Sequence, residues 1–329
     1  MQNVFILTEG GNNIGFGHIT RCTALYQAFE ERGITPKFII NGDESVIDLL
    51  VCKNYEIFNW IDEKERLLEL IKKVDIAIID SYLAGIDIYE TISERVKIPV
   101  YLDDNKRLDY PKGVVVNGAI YAEELNYPMK KGVTYLLGSK YMPLRKEFWN
   151  VPEIEIKENI ESVMITFGGD DTRNMTPGVL RLLKNNFPEL IKNVVVGRGY
   201  KYINEIEELK DDKTNLIYSP DADVMKNIML ESDIAISAAG QTTYELARVG
   251  TPTIAISVAK NQLDNVKGWK ITGFIEYAGW WSDRDILNNI NNSLDKIASF
   301  QLRKEMNQKG ILYVDREGGF RIVKSILKQ

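Results

Sequence analysis

The sequence predicts an α/β protein of two doubly wound domains that face a cleft, and two observations lead to this fold class. Short apolar runs alternate with amphipathic helical stretches along the 329-residue chain, which is the rhythm of strand–helix–strand units in parallel sheets. A chain of this length also holds about two domains at roughly 150 residues each. We therefore predict one hydrophobic core in each half.

The first half contains short apolar runs that do not alternate with polar residues, as is typical of parallel strands buried on both faces. These runs are 4–7, 38–40, 76–79 and 100–102, and after residue 113 the rhythm loosens through the apolar runs 114–116 and 135–137. A helix with one apolar face is predicted after the first run. Its apolar residues are Cys22, Leu25, Tyr26 and Phe29. Gly33 stands where a glycine ends such a helix.

The second half repeats this organisation after a polar, proline-bearing stretch that suits a linker near 150–158. Its apolar runs are 163–167, 194–196, 215–218, 234–237 and 253–256. Helical spacing of apolar residues predicts a final helix over about 315–329. We place the N-terminal domain at 1–152 and the C-terminal domain at 153–329, and leave open whether the last helix packs back on the N-terminal domain.

Composition excludes several classes of protein. Hydrophobic residues make up 44% and charged residues 27%, which excludes a disordered or low-complexity scaffold. The 41 basic and 47 acidic residues give a net charge of −6, so we predict no nucleic-acid partner. Cys22 and Cys52 are too few for a disulfide framework, and no stretch has the ~18 apolar residues of a membrane span. With no signal-peptide pattern, we predict a cytoplasmic protein without membrane insertion and leave its oligomeric state open.

The first candidate motif is the glycine-rich run 9–21, which follows the first strand and enters the first helix. Gly15 and Gly17 let the backbone approach a ligand closely, and the helix start offers free N–H groups. The run is neither a Walker A loop nor a dinucleotide fingerprint. It carries His18, the only histidine of the chain, with Arg21 on roughly the same helix face. We interpret His18 as a functional imidazole, and the alternative is a polar residue that merely starts the helix.

The second motif, residues 237–247, follows a strand of the second half. Small residues, a glycine and two threonines at a helix start form an anion site suited to a diphosphate. Glu245, one turn into the helix, is placed to hold the hydroxyl pair of a ribose. A generic strand-to-helix turn favours the same residue types, so both interpretations stay open.

The third motif, residues 165–174, opens the second domain. Gly168 and Gly169 permit close approach of a ligand, whereas Asp170 and Asp171 are more typical of helix caps than of a metal site. The short runs Asp80-Ser81-Tyr82 and Asp103-Asp104 end strands of the first half and either line the cleft or cap helices. The Trp280–Trp281 pair could stack on a sugar, but packing is the favoured role.

Five motifs in this order resemble the UDP-sugar hydrolases of the pseudaminic acid pathway and their spore-coat polysaccharide relatives. They are Gly-Phe-Gly-His-Ile-Thr-Arg at 15–21, Asp-Ser-Tyr at 80–82, Gly-Ser-Lys-Tyr-Met-Pro-Leu-Arg at 138–145, Phe-Gly-Gly-Asp-Asp at 167–171 and Ser-Ala-Ala-Gly-Gln-Thr-Thr-Tyr-Glu-Leu at 237–246. The resemblance covers most of the chain. That family is similar to the lipid II glycosyltransferase, which implies the GT-B fold: two Rossmann-like domains, the second holding UDP and the first presenting a histidine to the sugar.

Carried over position by position, the resemblance implies that His18 is the general base and that Tyr82 is its active-site neighbour. The paired aspartates 103–104 match a family pair whose role is mainly structural. The run 239–241 departs from the Gly-Gly-Ser/Thr-like run usual in the family, which changes the implied phosphate donors. The predicted substrate-binding residues are Gly15, Gly17, Arg21, Gly168, Gly169, Gly240, Gln241, Thr242, Glu245, Asn261 and Gln262.

The implied activity is hydrolysis of a UDP-linked amino-deoxy sugar with inversion at the anomeric carbon, which supplies nonulosonic acid or surface-polysaccharide biosynthesis. His18 would activate water, and a helix N-terminus would neutralise the diphosphate, so this scheme requires no metal or cofactor. One alternative is an inverting GT-B glycosyltransferase that uses a UDP-sugar donor. The other is a non-catalytic protein that binds a nucleotide sugar.

Overall fold

The computed structural model describes residues 2–12 and 14–329; Met1 and Asn13, a residue of the glycine-rich run, lie outside the described residues. The chain divides into two compact units. The first comprises the residues up to Lys146 together with Arg316–Gln329, and the second is Glu147–Asp315. The boundary predicted at 152/153 falls a few residues inside the second unit.

The first unit is built on a parallel sheet of seven strands. They are β1 (Val4–Gly10), β2 (Lys37–Gly42), β3 (Asn54–Ile57), β4 (Ile76–Asp80), β5 (Ile98–Leu102), β6 (Gly113–Asn117) and β7 (Val133–Leu137). Their spatial order is β3-β2-β1-β4-β5-β6-β7. In register, Thr8 of β1 lies between Ile40 of β2 and Asp80 of β4. The order therefore reverses between β1 and β4, and such a switch point is where open α/β sheets bind ligands.

The helices between these strands are α1 (Gly17–Glu30), α2 (Lys64–Ile71) and α3 (Ile86–Arg95). The apolar face predicted for α1 is buried. The core of this unit includes Leu7, Ile39 and Ile79, which come from three neighbouring strands. Short 3-10 helices occupy Glu44–Leu50, Ala122–Leu125 and Ser139–Tyr141, and another, Lys146–Phe148, lies at the boundary between the units.

The second unit has a parallel sheet of six strands. They are β8 (Ser162–Thr166), β9 (Ile191–Val196), β10 (Thr214–Tyr218), β11 (Ile234–Ala238), β12 (Thr253–Ser257) and β13 (Ile275–Trp280). Its helices are α4 (Met175–Asn186), α5 (Ile203–Leu209), α6 (Ala222–Glu231), α7 (Thr242–Val249), α8 (Leu263–Thr272), α9 (Ile286–Ile297) and α10 (Phe300–Tyr313), with a 3-10 helix at Lys260–Gln262. The strand order β10-β9-β8-β11-β12-β13 places the switch point between β8 and β11.

The last helix, α11 (Gly318–Ile326), lies within the range predicted to be helical and belongs to the first unit. It packs on α1, where a Cβ added to Gly319 would lie 3.3 Å from the Cβ of Ala28. Ile322, Val323 and Ile326 are fully buried. The end of the chain thus completes the unit in which the chain began.

The predicted fold class is confirmed, because each unit is a doubly wound, Rossmann-like α/β domain. All the strands predicted from apolar runs are present, and the looser runs 114–116 and 135–137 form β6 and β7. No apolar run was noted for β3 and β13, which were not predicted. Within the part of the chain that the structure describes, no helix is both long and apolar enough to cross a membrane.

Candidate active site

The loop that precedes His18 leaves β1 at the switch point of the first sheet. Gly11 and Gly15 face each other across a tight turn, with the Gly15 N–H donating to the Gly11 carbonyl at 2.7 Å and the reverse bond at 3.2 Å. Gly15 has a φ of +90°, a conformation that favours glycine. The turn delivers the chain to α1, whose first turn carries His18.

His18 and Arg21 both bind the carboxylate of Asp80, the last residue of β4. The Nδ1 atom of His18 lies 2.8 Å from Oδ1 of Asp80. Arg21 donates through Nε to Oδ2 at 3.0 Å and through Nη2 to Oδ1 at 2.6 Å. Asp80 is only 1% exposed. Because an ionised carboxylate accepts hydrogen bonds only, it selects the tautomer of His18 that is protonated on Nδ1 and leaves the Nε2 lone pair available.

The charges around the imidazole set its proton affinity. Burial disfavours the charged form of His18, but the charge and hydrogen bond of Asp80 outweigh this effect and raise the pKa of His18 above its ordinary value. Burial likewise opposes ionisation of Asp80, yet Arg21 and His18 hold the pKa of this carboxyl well below its usual range. The imidazole of His18 can therefore accept a proton beside the carboxylate of Asp80, which stays ionised.

Tyr82 and Asp104 extend this cluster. The Tyr82 hydroxyl and Nη1 of Arg21 each donate to the carboxylate of Asp104. The ring of Tyr82 stands edge-on to the His18 ring, with centroids 4.6 Å apart and planes at 90°. Burial and the neighbouring charge of Asp104 raise the pKa of Tyr82 well above its ordinary value, so the phenol stays protonated.

The runs 80–82 and 103–104 therefore have mixed roles. The structure brings Asp80, Tyr82 and Asp104 to His18, which favours the interpretation that these runs line a site. Asp103 instead supports the fold, because it accepts a hydrogen bond from the Tyr127 hydroxyl at 2.6 Å and one from the backbone N–H of Asp104 at 2.9 Å. The structural role implied for the aspartate pair applies to Asp103 but not to Asp104.

Glu9 is a site residue that the sequence did not single out by itself. Its side chain is fully buried at the end of β1, with Oε1 3.8 Å from Nε2 of His18. It accepts hydrogen bonds from the backbone N–H of Tyr82 and from the Ser81 hydroxyl. The available signal was a carboxylate two residues after an apolar run, near a strand end.

In the second unit, the residues predicted to bind a nucleotide lie at the start of α7. Gln241 is the residue before the helix, Thr242 begins it, and Glu245 is buried in its first turn. A Cβ on Gly240 would lie 3.4 Å from Nε2 of Gln262. The structure thus brings this motif to the 260–262 helix, which contains Asn261.

The loop after β8 lies at the other side of the same switch point. Gly168 has a φ of +84°, and the Gly169 carbonyl accepts the N–H of Gly199 at 2.8 Å. Asp171 caps α4 by accepting the backbone N–H groups of Met175 and Thr176 at 3.0 and 2.8 Å. The capping interpretation thus holds for Asp171, whereas Asp170 is exposed.

Arg173 connects this loop to the residues after β12 and β13. Its Nε donates to the Val258 carbonyl at 3.2 Å, and its guanidinium lies 4.5 Å from the centroid of the Trp281 ring. Trp281 also packs against the core of the unit, in line with its predicted packing role. The loops after β8, β11 and β12 are therefore gathered at one edge of the second sheet.

The two units and the comparison with solved structures define the class: the protein has the two-domain GT-B fold. Residues 164–310 match the Glycosyltransferase family 28 C-terminal domain. Among solved structures, MurG of Acinetobacter baumannii superposes with a TM-score of 0.70 at 15% identity, covering 99% of this chain and 100% of that one.

Three proteins are similar in sequence. Identity is 27% over 271 residues with the uncharacterized protein MJ1062 of Methanocaldococcus jannaschii, covering 78% of this chain and 55% of that protein. It is 24% over 266 residues with the pseudaminic acid cytidylyltransferase and UDP-2,4-diacetamido-2,4,6-trideoxy-beta-L-altropyranose hydrolase of Helicobacter pylori, covering 80% and 46%. The spore coat polysaccharide biosynthesis protein SpsG of Bacillus subtilis is 22% identical over 335 residues, covering 98% and 96%. This chain spans about half the length of the first two relatives.

Proposed function

We propose that the protein hydrolyses a UDP-linked amino-deoxy sugar to UDP and the free sugar, with His18 as the general base. The observation that carries this proposal is the hydrogen bond of 2.8 Å between His18 Nδ1 and the buried carboxylate of Asp80. It fixes the ring and leaves Nε2 to accept a proton. His18 is also the only histidine of the chain.

The reaction is a single displacement at the anomeric carbon. The oxygen of a water molecule attacks that carbon on the face opposite the diphosphate, while Nε2 of His18 takes one proton from the water. The bond from the anomeric carbon to the diphosphate oxygen breaks, and its electron pair leaves with UDP. Inversion follows from this geometry. Asp80 balances the charge of the imidazolium that forms, and the proton then passes to solvent.

The nucleotide is proposed to bind the second unit. The start of α7 offers backbone N–H groups to a diphosphate at Gln241 and Thr242, and Glu245 would hold the ribose hydroxyls. Gly168 and Gly169 lie in a loop at the same edge of the sheet, and Asn261 and Gln262 lie in the short 3-10 helix there. The match to the family 28 C-terminal domain covers all of these residues, which supports this assignment.

The substrate class rests on the relatives. One of them is named as a hydrolase of a UDP-linked diacetamido-trideoxy sugar, and another as a protein of spore-coat polysaccharide synthesis. We propose a UDP-sugar of this amino-deoxy class and a product destined for nonulosonic acid or surface-polysaccharide synthesis. We also propose a cytoplasmic location, in keeping with a chain whose two cysteines are too few for a disulfide framework.

The test is UDP release from a panel of UDP-sugars, with and without sugar acceptors, followed by the reaction in ¹⁸O-water. We expect UDP release without an acceptor and label in the free sugar, because the carbon–oxygen bond breaks. Label in UDP would mean attack at phosphorus and would overturn the mechanism. Release only with an acceptor would instead identify a glycosyltransferase, and binding without release would identify a non-catalytic protein.

A further inference from the structure

The short turn that carries Tyr82, residues 81–84, is held by a buried carboxylate on its N–H side. Glu9 accepts the backbone N–H of Tyr82 through Oε1 at 2.7 Å and that of Leu83 through Oε2 at 3.4 Å. The Ser81 hydroxyl also donates to Oε2. These three donors satisfy a carboxylate that has no access to water, and without them its burial would be costly.

The carbonyl side of the same turn is held by Arg107. Its Nη2 atom donates to the carbonyls of Ser81 and Ala84 at 2.9 and 3.0 Å, and Nη1 donates to the carbonyl of Tyr82 at 3.4 Å. Nη2 also lies 3.0 Å from the hydroxyl of Tyr89, which itself donates to the carbonyl of Ser81. The Glu9 carboxylate therefore binds the N–H groups of this four-residue turn, and the Arg107 guanidinium binds its carbonyl groups.

The middle of the turn needs such support because it is exposed. Ser81 and Ala84 are buried, but Tyr82 is 40% exposed and Leu83 is 58% exposed, and exposed loop residues are mobile by default. Yet the Tyr82 ring stands edge-on to the imidazole of His18. Hydrogen bonds to charged groups are roughly twice as strong as neutral ones, so Glu9 and Arg107 fix the backbone from which this ring projects.

We propose that Glu9 and Arg107 are positioning residues for the reaction at His18, acting through the 81–84 turn and Tyr82. This inference rests on the proposed function. Glu9 has a second effect, because Oε1 lies 3.8 Å from Nε2 of His18 and its negative charge favours the imidazolium form. Arg107 acts only through the turn, so the two residues have different expected effects on the dependence of activity on pH.

The kinetic test uses Arg107→Gln and Glu9→Gln in the full-length protein, with the UDP-sugar that gives the fastest turnover. Misplacement of a reacting group by about 1 Å costs up to about 10²-fold in rate, so we expect kcat to fall by roughly 10- to 100-fold in each variant with little change in KM. Glu9→Gln also moves the acid limb of the pH–rate profile to lower pH, whereas Arg107→Gln leaves it in place. The control is Asp75→Asn, which removes the carboxylate just before β4, at the opposite end of this strand from Asp80. We expect it to leave both kcat and the acid limb unchanged.

A double-mutant cycle separates positioning from general destabilisation. If Arg107 acts through Tyr82, adding Arg107→Gln to a Tyr82→Ala variant costs less than about 2-fold in kcat, because the ring to be positioned is already gone. If Arg107→Gln lowers kcat by the same factor in Tyr82→Ala as in the wild-type protein, the proposal is overturned. Arg107 is partly exposed, so its variant keeps the test available if Glu9→Gln does not fold.

A spectroscopic readout tests the inference without a substrate. His18 is the only histidine, so histidine labelled with ¹³C at Cε1 gives one NMR signal, and the edge-on Tyr82 ring displaces it. We expect Arg107→Gln to move this signal part of the way toward its position in Tyr82→Ala. A signal unchanged from wild type in Arg107→Gln would refute the positioning role. If no UDP-sugar is turned over, the proposed function fails, while this readout still decides whether Arg107 positions the Tyr82 ring against His18.

Discussion

At the scale of single residues, the environment of His18 explains the direction of its pKa shift. The positive end of the α1 dipole and the charge of Arg21 both oppose protonation of the ring. The structure adds Asp80 in direct contact with Nδ1 and Glu9 on the side of Nε2, and their charges raise the pKa. The acid limb of the pH–rate profile is therefore expected above about 6.5, the ordinary value for histidine.

Replacing Asp80 by Asn tests this electrostatic account. The amide keeps the shape of the side chain but removes the charge and can donate to Nδ1, so the wrong tautomer forms. We expect kcat to fall by roughly 10²-fold or more. His18 acts as a base only when neutral, and loss of the Asp80 charge lowers its pKa, so the acid limb moves to lower pH.

The control for this variant is Asp211→Asn. Asp211 pairs with Lys192 in the second unit and does not contact His18, so its replacement leaves the pH–rate profile unchanged. An acid limb in Asp80→Asn at the wild-type position would show that Asp80 does not set the proton affinity of the base.

His18, Arg21 and Tyr82 were identified from the sequence because each lies in a short motif. The partners Asp80 and Asp104 remained ambiguous, and Glu9 was not selected. The reason is physical: Asp80 is 62 residues from His18 along the chain, and only the parallel pairing of β1 with β4 brings the two together. The pattern within one apolar run does not specify that the fourth strand, rather than the second alone, lies beside the first.

At the scale of elements, the apolar runs predicted the strands in the interior of each sheet. The two strands that were missed, β3 and β13, both lie at a sheet edge. β3 has two exposed residues, Asn54 and Tyr55, and lies at an edge of the sheet, so it has no continuous apolar run. β13 is also an edge strand, and its register shifts near Gly279, which has a φ of +136°. A bulge of this kind interrupts the pattern by which strands are recognised.

The cap of α4 gives a prediction at this scale. Asp171→Ala removes the acceptor for two backbone N–H groups, which we expect to lower the free energy of unfolding by about 1–2 kcal/mol. Asp171 has a φ of +37°, a region that glycine tolerates better than alanine. Asp171→Gly therefore loses less stability than Asp171→Ala, as measured by denaturant unfolding. A larger loss for glycine than for alanine would show that the backbone conformation is not strained.

At the scale of the whole molecule, the two units repeat one design. In each sheet the strand order reverses between the first strand and the fourth strand of that unit. His18 follows the first strand of the first unit, and the proposed nucleotide site lies after the first and fourth strands of the second. Parallel sheets place ligands at such positions, so the sequence predicted the location of both candidate sites once the motifs were assigned to strand ends.

The return of α11 to the first unit gives a prediction about stability. Ile322 is fully buried, and Ile322→Ala is expected to cost about 2–5 kcal/mol. Hydrogen exchange should show the loss of protection in the first unit, including α1, and not in the second. The control is Ile271→Ala, at a side chain that is 76% exposed, which changes stability by less than about 0.5 kcal/mol. Loss of protection confined to the second unit would contradict the assignment of α11.

The central claim is that His18 removes a proton from the attacking water during cleavage of a UDP-sugar. Its most direct test is the turnover of His18→Asn, measured as UDP release from a UDP-sugar without an acceptor. The affinity of the variant for UDP is measured alongside. A general base contributes about 10²–10⁴-fold, so we predict that kcat falls by at least ~10² while the Kd for UDP stays within a few-fold. Undiminished turnover in His18→Asn would contradict the account and return His18 to the role of a polar residue at a helix start.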